Sequence, residues 1–249
     1  MNLFKADLHT HTLFSPCGDL EMTPDNIIDI AKQRGLDVIA ITDHNATRHC
    51  RLAEHYSHNR DIFVIFGAEV TTKEEAHCLG YFPDYESLDA FQDYLDEHLP
   101  DIPNDPDFFG DQVQIDEEMN IVYDEPRLLT SAIDQTVNQI ADKVHSLGGL
   151  FVPAHIDKQK NSLIGQLGFI PFDLEYDAVE LSDKGNKEEI LKVHKYLKDK
   201  TFTRSSDAHF PDRIAFSPCW LRMETRSFDE FRMALHHENG REVILKLEV

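Results

Sequence analysis

The clearest indication of the fold is the segment Leu36-Asp37-Val38-Ile39-Ala40-Ile41-Thr42-Asp43-His44-Asn45. Its nearly continuous apolar run is typical of a parallel strand that is covered on both faces. A strand-like run precedes it at Leu3 to Leu8 and another follows at Ile62 to Phe66, with helical patterns in between. This β-α-β-α-β alternation indicates an α/β protein with a parallel sheet or a (β/α) barrel.

The two helices of this unit are predicted from local signals. Thr23-Pro24 is typical of a helix start, with Thr as the N-cap and Pro at the first helical position. Helical periodicity follows until Gly35, which ends the helix. A polar helix is predicted at about 48–59, and a further strand at about 77–82.

The middle of the chain is less regular. A helix is predicted at 86–98, whereas residues 100–131 are rich in Pro, Asp and Glu and contain a possible hairpin at about 112–123. We expect this segment to be a flap-like excursion from the barrel, because about 30 residues cannot hold a core of their own. Residues 1–249 are therefore predicted to form a single domain.

The second half of the chain returns to regular patterns. It carries predicted helices at about 134–146 and 228–238, and predicted strands at 150–154, 178–181, 200–203, 219–223 and 242–248.

Composition limits the classes of function. The net charge of −22 argues against a broad basic face, although bound divalent metals can reverse the potential locally. Four cysteines form no CxxC pair, and the N-terminus lacks the pattern of a signal peptide. We therefore expect a cytoplasmic protein without a membrane partner, since no apolar run approaches the ~18 residues of a membrane span.

Potential metal ligands end several predicted strands. The carboxyl ends of parallel strands meet at one edge, so these side chains are expected to converge. Imidazoles and carboxylates suit Zn, Mn or Fe(II), and the set is too large for one tetrahedral ion. We infer two or three divalent ions, with Glu69 as a natural bridge. The predicted ligands are His9, His11, His44, Glu69, His77, His155, Asp207 and His209.

The ordered motifs DLHTH, TDHN, GAE, PAH and SSDAH, together with His77, resemble those of the PHP (polymerase and histidinol phosphatase) family over about residues 5–215. The resemblance implies a distorted (β/α)7 TIM-like barrel with the metal site at the carboxyl ends of the strands. It also implies a metal-dependent phosphoesterase.

Ligand roles follow from the same resemblance. One metal would be held by His9, His11, Glu69 and Asp207. A second would be held by Glu69, His77 and His155. A third would be held by His44 and His209 with an acidic residue from the loop after the first motif, where this chain departs from the common pattern and Asp19 takes the aligned position.

The expected reaction is hydrolysis of a small phosphorylated metabolite or nucleotide by a metal-bridging hydroxide. Glu69 would be catalytic, and a protonated His44 or His209 would stabilise the leaving oxygen. Three cationic residues near the ligand motifs are candidates to bind the substrate phosphate: Lys158, Arg204 and Arg213.

Two other functions stay open from sequence. One is a PHP-type nuclease, and the net charge of −22 makes nucleic acid an unlikely partner. The other is a metal-binding regulatory module without catalysis. Among residues outside the ligand set, Asp43 is expected either to orient a ligand or to cap a helix, and Glu180 either to line the site or to be structural. The remaining histidines, among them His49, are expected at the surface or in the core.

Overall fold

The computed structural model describes residues 1–247 as an α/β barrel. Eleven strands occur in the described range: β1 (Asn2–Asp7), β2 (Val38–Ile41), β3 (Phe63–Thr71), β4 (His77–Phe82), β5 (Val113–Ile115), β6 (Ile121–Asp124), β7 (Leu150–Pro153), β8 (Val179–Leu181), β9 (Phe202–Arg204), β10 (Cys219–Met223) and β11 (Glu242–Ile244).

Eight α-helices accompany these strands in residues 1–247. They are α1 (Pro24–Gln33), α2 (Cys50–Ser57), α3 (Tyr85–His98), α4 (Pro106–Phe109), α5 (Val137–Ser146), α6 (Leu163–Leu167), α7 (Lys187–Val193) and α8 (Phe228–Leu235). The patterns above do not predict the short helices α6 and α7. The last predicted strand is observed only over Glu242–Ile244, and residue 248 lies outside the described residues.

The sheet confirms the predicted parallel unit and adds antiparallel neighbours. Seven strands are hydrogen-bonded in the order β11-β10-β1-β2-β3-β4-β7. β1, β2 and β3 run parallel, whereas β4 is antiparallel to both β3 and β7. Because β4 runs the opposite way, its first residue, His77, pairs with Thr71 at the carboxyl end of β3. The reversal therefore brings His77 to the edge where the other ligands lie.

The parallel pair β8 and β9 closes the remaining side of the barrel. After β7, Ile156 donates its backbone N–H to the carbonyl of Glu180 in β8 at 2.8 Å. After β9, Ala208 forms a parallel bridge with Thr10, which follows β1. These contacts confirm the distorted TIM-like barrel and draw the ends of β1, β7 and β9 together.

The barrel has an apolar layer inside and another beneath its helices. In β2, Val38 and Ala40 belong to the inner cluster and Ile39 and Ile41 to the outer one, as the two-residue period of a strand requires. Helix α8 joins the inner cluster, where Phe231 packs edge-on against Tyr81 with ring centroids 5.5 Å apart. Tyr81 pairs with the first residue of β7. The contact between Tyr81 and Phe231 therefore lies at the end of the barrel away from the ligands.

Residues 100–131 fold onto the barrel as an excursion that holds α4 and the hairpin β5–β6. Gln112 is buried and ties the segment together, because its side chain donates to the carbonyls of Glu125 and Arg127 and accepts from the N–H of Leu129. Val113 and Ile115 form a small apolar cluster with Leu13 of the loop after β1. The hairpin is predicted at about 112–123 and observed at 113–124.

None of the helices in residues 1–247 combines the length and apolar character needed to cross a membrane.

Candidate metal centre

The predicted ligands converge at one edge of the barrel. Each lies at or just beyond the end of a strand, or at the start of the antiparallel β4. All are buried except Asp207 and His209, which are partly exposed. The residues that meet there are His9, His11, His44, Glu69, His77, His155, Asp207 and His209.

Glu69 occupies the centre of this cluster. Ring nitrogens of five histidines lie 2.9–3.3 Å from its two carboxylate oxygens, and they belong to His9, His11, His44, His77 and His155. Burial by itself would raise the pKa of Glu69, but the neighbouring imidazoles, His77 and His9 first, outweigh it and hold the pKa well below its usual value. The carboxylate is therefore ionised, in the form that ligates metal.

Hydrogen bonds orient the histidine pair after β1. His9 Nδ1 lies 3.0 Å from Glu180 Oε2, an acceptor only, so Nδ1 carries the hydrogen. His11 Nδ1 lies 3.0 Å from Ser15 Oγ, whose own hydrogen goes to Asp43 Oδ1 at 2.7 Å, so His11 Nδ1 is also the donor. In the neutral, metal-binding form of the two rings, both Nε2 atoms are thereby left as acceptors, and they lie 3.1 Å apart.

This arrangement fits a cation. Two lone pairs facing each other at 3.1 Å repel unless a proton or a metal ion lies between them. Four further buried atoms in residues of the cluster have no hydrogen-bond partner: Glu69 Oε2, Asp207 Oδ1, His44 Nδ1 and His155 Nδ1. Such groups are costly to bury without a partner, and divalent metals satisfy this set of donors.

Ligand atoms within 4.8 Å of one another form three groups. The first contains His9, His11, Glu69 and Asp207, the set predicted for one metal. The second contains Glu69 and His77 with His44, whereas the predicted His155 contacts Glu69 from outside the group. The third contains His11, His44 and His209.

Asp19 belongs to none of these three groups. Its carboxylate accepts the backbone N–H of Glu21 at 2.8 Å, and its own N–H donates to the carbonyl of His209 at 2.8 Å. The loop therefore uses Asp19 to hold its own turn against His209.

The predicted phosphate-binding residues separate into two kinds. Lys158 lines a cavity of about 250 Å³ beside the cluster, and its Nζ lies 2.6 Å from Asp207 Oδ2. Arg204 does not line this cavity and donates to the carbonyl of Gly185. Arg213 does not line it either, because it pairs with Asp183 at 2.7 Å. The structure instead brings Lys160 to the cavity, which sequence reasoning missed.

A second cavity of about 350 Å³ adjoins the first. The two share His44, His77 and Asn161 in their linings. Thr130 and Ala132, from the end of the excursion and just after it, line the second cavity on another side. We call the cavity with Lys158 the metal cavity and its neighbour the side cavity.

Burial sets the protonation of the outer histidines. Burial, and after it repulsion from His11, lower the pKa of His44 to about 4 and that of His209 to about 3. Both imidazoles are therefore neutral near pH 7, the state in which histidine ligates metal. His9 differs: burial would lower its pKa, but Glu180 and Glu69 outweigh burial and raise it well above the usual value.

Supporting residues around the ligands were only partly foreseen. Glu180 and Asp43, left open between two roles, both act on ligands: Glu180 on His9 directly, and Asp43 on His11 through Ser15. Ser15 itself had no signal beyond its position in the loop after the histidine pair.

His155 and Asp207 have positive φ angles of 28° and 51°, uncommon for residues with a side chain.

The chain is similar in sequence to a known domain family and to two uncharacterized proteins. The sequence model of the PHP domain matches residues 7–158. Uncharacterized protein YqxK of Bacillus subtilis is 24% identical over an alignment that covers 98% of this chain and 65% of that protein. Uncharacterized protein MJ1587 of Methanocaldococcus jannaschii is 36% identical over 86 residues, 31% of this chain and 50% of that protein. The chain thus spans between half and two thirds of these relatives' lengths.

Solved structures share the fold at low identity. The lesion-specific endonuclease PfuEndoQ from Pyrococcus furiosus superposes with a TM-score of 0.75 at 20% identity, over 97% of this chain and 58% of its own. An Endonuclease Q complex with a 27-mer duplex carrying an abasic lesion gives 0.70 at 19%, with the same coverages. A Bifidobacterium adolescentis protein, provisionally described as a metal-dependent phosphoesterase, gives 0.55 at 21%, over 82% of this chain and 87% of its own.

One expectation is wrong in the light of these structures. The net charge of −22 suggested that nucleic acid is an unlikely partner, yet the same barrel occurs in an endonuclease that was crystallised with duplex DNA. Net charge describes the field of the whole molecule, whereas a local metal centre and its lysines set the potential at the site.

The clustered ligands agree with the metal-binding edge that the sequence motifs predicted. The family model covers more than half of the chain, from the first histidine motif through the one at His155. The chain belongs to the PHP domain family.

Proposed function

We propose that this chain is a metal-dependent phosphoesterase that hydrolyses a phosphoric ester with two or three divalent ions. One observation carries the proposal. Buried carboxylate oxygens of Glu69 and Asp207 lack hydrogen-bond partners beside converging imidazole nitrogens, and the adjoining cavity carries Lys158 and Lys160. Anionic and imidazole ligands next to ammonium groups suit metals and a phosphate bound together.

The three ligand groups would hold the ions, with Glu69 shared between two groups and His155 adding a nitrogen near it. Bound there, divalent metals would polarise phosphoryl oxygens and lower the pKa of coordinated water, which supplies the nucleophile. No serine or cysteine nucleophile is needed for this reaction.

Several side chains would bind the substrate, orient the ligands or carry a proton. Lys158 forms an ion pair with Asp207, which raises the lysine's pKa against the lowering effect of burial, so the ammonium is charged and available to a phosphate oxygen. Glu180 and Ser15 keep hydrogens on Nδ1 of His9 and His11, which preserves their Nε2 atoms as ligands. His44 and His209 are neutral, and would take up a proton for the leaving oxygen only beside the negative charge of a bound phosphate.

The side cavity supports a small substrate. With the phosphate at Lys158, a leaving group would extend past His44 and His77 into a space of about 350 Å³. Uncharged and acidic groups line that space, among them Thr71, Thr130 and Glu75. A small phosphorylated metabolite or a nucleotide would place an uncharged or cationic part there.

A nuclease is the second candidate. The similarity of the barrel to PfuEndoQ and to an Endonuclease Q complex with lesion-bearing duplex favours it. The same metal chemistry would serve both candidates, because a phosphodiester differs from a monoester in what lies beyond the reacting phosphorus.

A phosphoester panel separates these possibilities. The protein would be stripped of metal, reconstituted separately with Mn, Zn and Fe(II), and assayed on sugar phosphates, nucleoside monophosphates, single-stranded DNA and duplex DNA with an abasic site. We expect turnover of small monoesters at rates above those for DNA. Faster cleavage of DNA would favour the nuclease.

The variant Glu69→Gln tests the centre itself. It keeps the shape of the side chain but removes the charge shared by two ligand groups, and we expect at least about a 10³-fold loss of turnover, a size typical for removal of a group that acts on the transition state. Glu86→Gln, at an exposed position of α3, is the matched control. Normal turnover by a fully metallated Glu69→Gln protein would refute the proposal.

A further inference from the structure

His49 is a buried histidine outside the ligand set, directly before α2. Its Nε2 lies 3.0 Å from the backbone nitrogen of Ile115 in β5 of the excursion. Its Nδ1 lies 2.7 Å from Thr12 Oγ1, in the loop that follows the first histidine pair. One imidazole therefore touches both the excursion and the metal-binding loop.

Chemistry fixes the direction of these hydrogen bonds. A backbone nitrogen only donates, so His49 Nε2 is the acceptor and carries no hydrogen. Nδ1 then carries the hydrogen and donates it to Thr12 Oγ1. The Thr12 hydroxyl passes its own hydrogen to Asp43 Oδ2 at 2.7 Å. Burial, which lowers the pKa of His49 to about 4, agrees with this neutral tautomer.

Asp43 continues the chain of hydrogen bonds to a ligand. Its Oδ1 accepts the Ser15 hydroxyl and the Thr12 N–H, each at 2.7 Å. With its hydrogen engaged, Ser15 Oγ can only accept from His11 Nδ1 at 3.0 Å. An unbroken series of hydrogen bonds thus runs from Ile115 through His49 to His11, with the donors on both sides pointing toward Asp43. Its last member determines which nitrogen of His11 faces the metal site.

The excursion, which contains Ile115, also borders the side cavity. Gln112 binds the strand that holds Ile115 to the segment Glu125–Leu129. Asn45, next to His44, donates to the carbonyls of Leu129 and Ser131 at 2.6 and 2.9 Å. The excursion therefore carries Thr130 into the side cavity as one connected unit.

We propose that His49 is a positioning residue that couples the docking of the excursion to the orientation of His11. The inference rests on the metal site of the proposed function, but it concerns a residue that touches neither metal nor substrate. Coupling between two sites is reciprocal. Metal uptake should therefore stabilise the excursion, and loss of its anchor at His49 should be felt at the metal.

Two substitutions test the hydrogen bonds of Nδ1 and Nε2 separately. In His49→Asn the amide nitrogen overlies Nδ1, so the donor to Thr12 is kept and the acceptor for Ile115 is lost. In His49→Gln the amide oxygen reaches the position of Nε2, so the acceptor is kept and the donor is lost. His58→Gln, exposed at the end of the same helix, is the matched control.

The measurements are Mn²⁺ affinity by competition with a chelator and hydrogen exchange at residues 112–116, with and without Mn²⁺. We expect His49→Gln to lose about tenfold in affinity, the lower end for residues that support metal ligands. We expect His49→Asn, which keeps the donor to Thr12 but releases the excursion, to lose less affinity, about threefold, while exchange at Ile115 rises about tenfold and Mn²⁺ no longer slows it. In the wild type, Mn²⁺ should slow exchange in the excursion.

The outcomes separate the coupling from a packing role. His49 also packs edge-on against Phe14 with ring centroids 5.6 Å apart, so a residue that only fills space would be damaged by both substitutions alike. Equal losses of affinity in the two variants, or no loss in either, would overturn the coupling and leave the proposed function standing. A wild-type protein that takes up no Mn²⁺, Zn²⁺ or Fe²⁺ would overturn both.

Discussion

Glu180 accepts from His9 Nδ1 at 3.0 Å and from the N–H of His155, so one buried carboxylate serves two predicted ligands. Carboxylates in this position fix the tautomer of a metal-binding histidine and raise its basicity. At the scale of single residues, the metal centre therefore depends on groups that lie one bond beyond the ligands.

Substitution of Glu180 by Gln tests this dependence. The amide can still accept at its oxygen, but it removes the negative charge that favours a hydrogen on Nδ1. We expect Zn²⁺ or Mn²⁺ affinity to fall about 10–100-fold, measured by chelator competition. Glu188→Gln, exposed on α7, is the control. Unchanged affinity in a folded Glu180→Gln protein would contradict the role assigned to this carboxylate.

Metal affinity should also depend on pH. Because the pKa of metal-free His9 is raised well above its usual value, the imidazole is protonated near neutral pH and must lose a hydrogen to bind metal. Affinity should therefore rise with pH through the neutral range until the raised pKa is passed, by up to about tenfold per pH unit for each proton released. Titration calorimetry in buffers of different ionisation enthalpy would count the protons. An affinity that is flat between pH 6 and 8 would contradict the prediction.

At the scale of elements, the excursion is held to the barrel by a close backbone approach. Gly110 follows α4 with φ of 100°, and a Cβ there would lie 2.0 Å from the carbonyl oxygen of Pro16. Neither the conformation nor the space tolerates a side chain. The loop that follows the first histidine pair is therefore packed directly under the excursion.

Gly110→Ala should lower the free energy of unfolding by about 1–3 kcal/mol and loosen the excursion, since both backbone strain and a clash are introduced. Gly168→Ala is the matched control, because Gly168 also has a positive φ but no atom lies within 4 Å of a Cβ there. The control should cost about 1–2 kcal/mol from conformation alone. Chemical denaturation measures both, and limited proteolysis at 100–131 reports the loosening. Equal resistance to proteolysis in the two variants would contradict the clash.

At the scale of the whole molecule, the proposed function requires a strongly negative protein to bind an anionic substrate. Three divalent ions would reduce the net charge of −22 only to about −16, so long-range repulsion remains while the centre attracts at short range. The screening length falls from about 30 Å at 0.01 M salt to about 8 Å at 0.15 M.

Added salt should therefore increase kcat/KM for a phosphate monoester. We expect a rise of about twofold between 0.01 and 0.15 M potassium chloride, where an enzyme guided by a basic face would lose rate. Repeating the series with tetramethylammonium chloride checks that potassium has no specific effect. A steady fall with salt would mean that local attraction by metals and lysines outweighs the field of the molecule.

Local sequence patterns were enough to predict the parallel unit β1-α1-β2-α2-β3 and the positions of the ligands in the chain. Apolar runs that end in His, Asp or Glu carry both signals locally, and parallel strands must bring their carboxyl ends to one edge. The ordered motifs were also sufficient to identify the PHP family. Hydrogen-bond direction, backbone angles and cavities have no such local signature.

The way that edge is completed depends on contacts between distant parts of the chain. The reversal of β4 brings His77 beside Glu69, Asp19 lies outside the three ligand groups, and Lys160 rather than Arg204 reaches the cavity. The role of His49, whose two nitrogens join segments 37 and 66 residues away, depends on contacts that no local pattern encodes. Long-range packing fixes these details because each arises where separate elements meet.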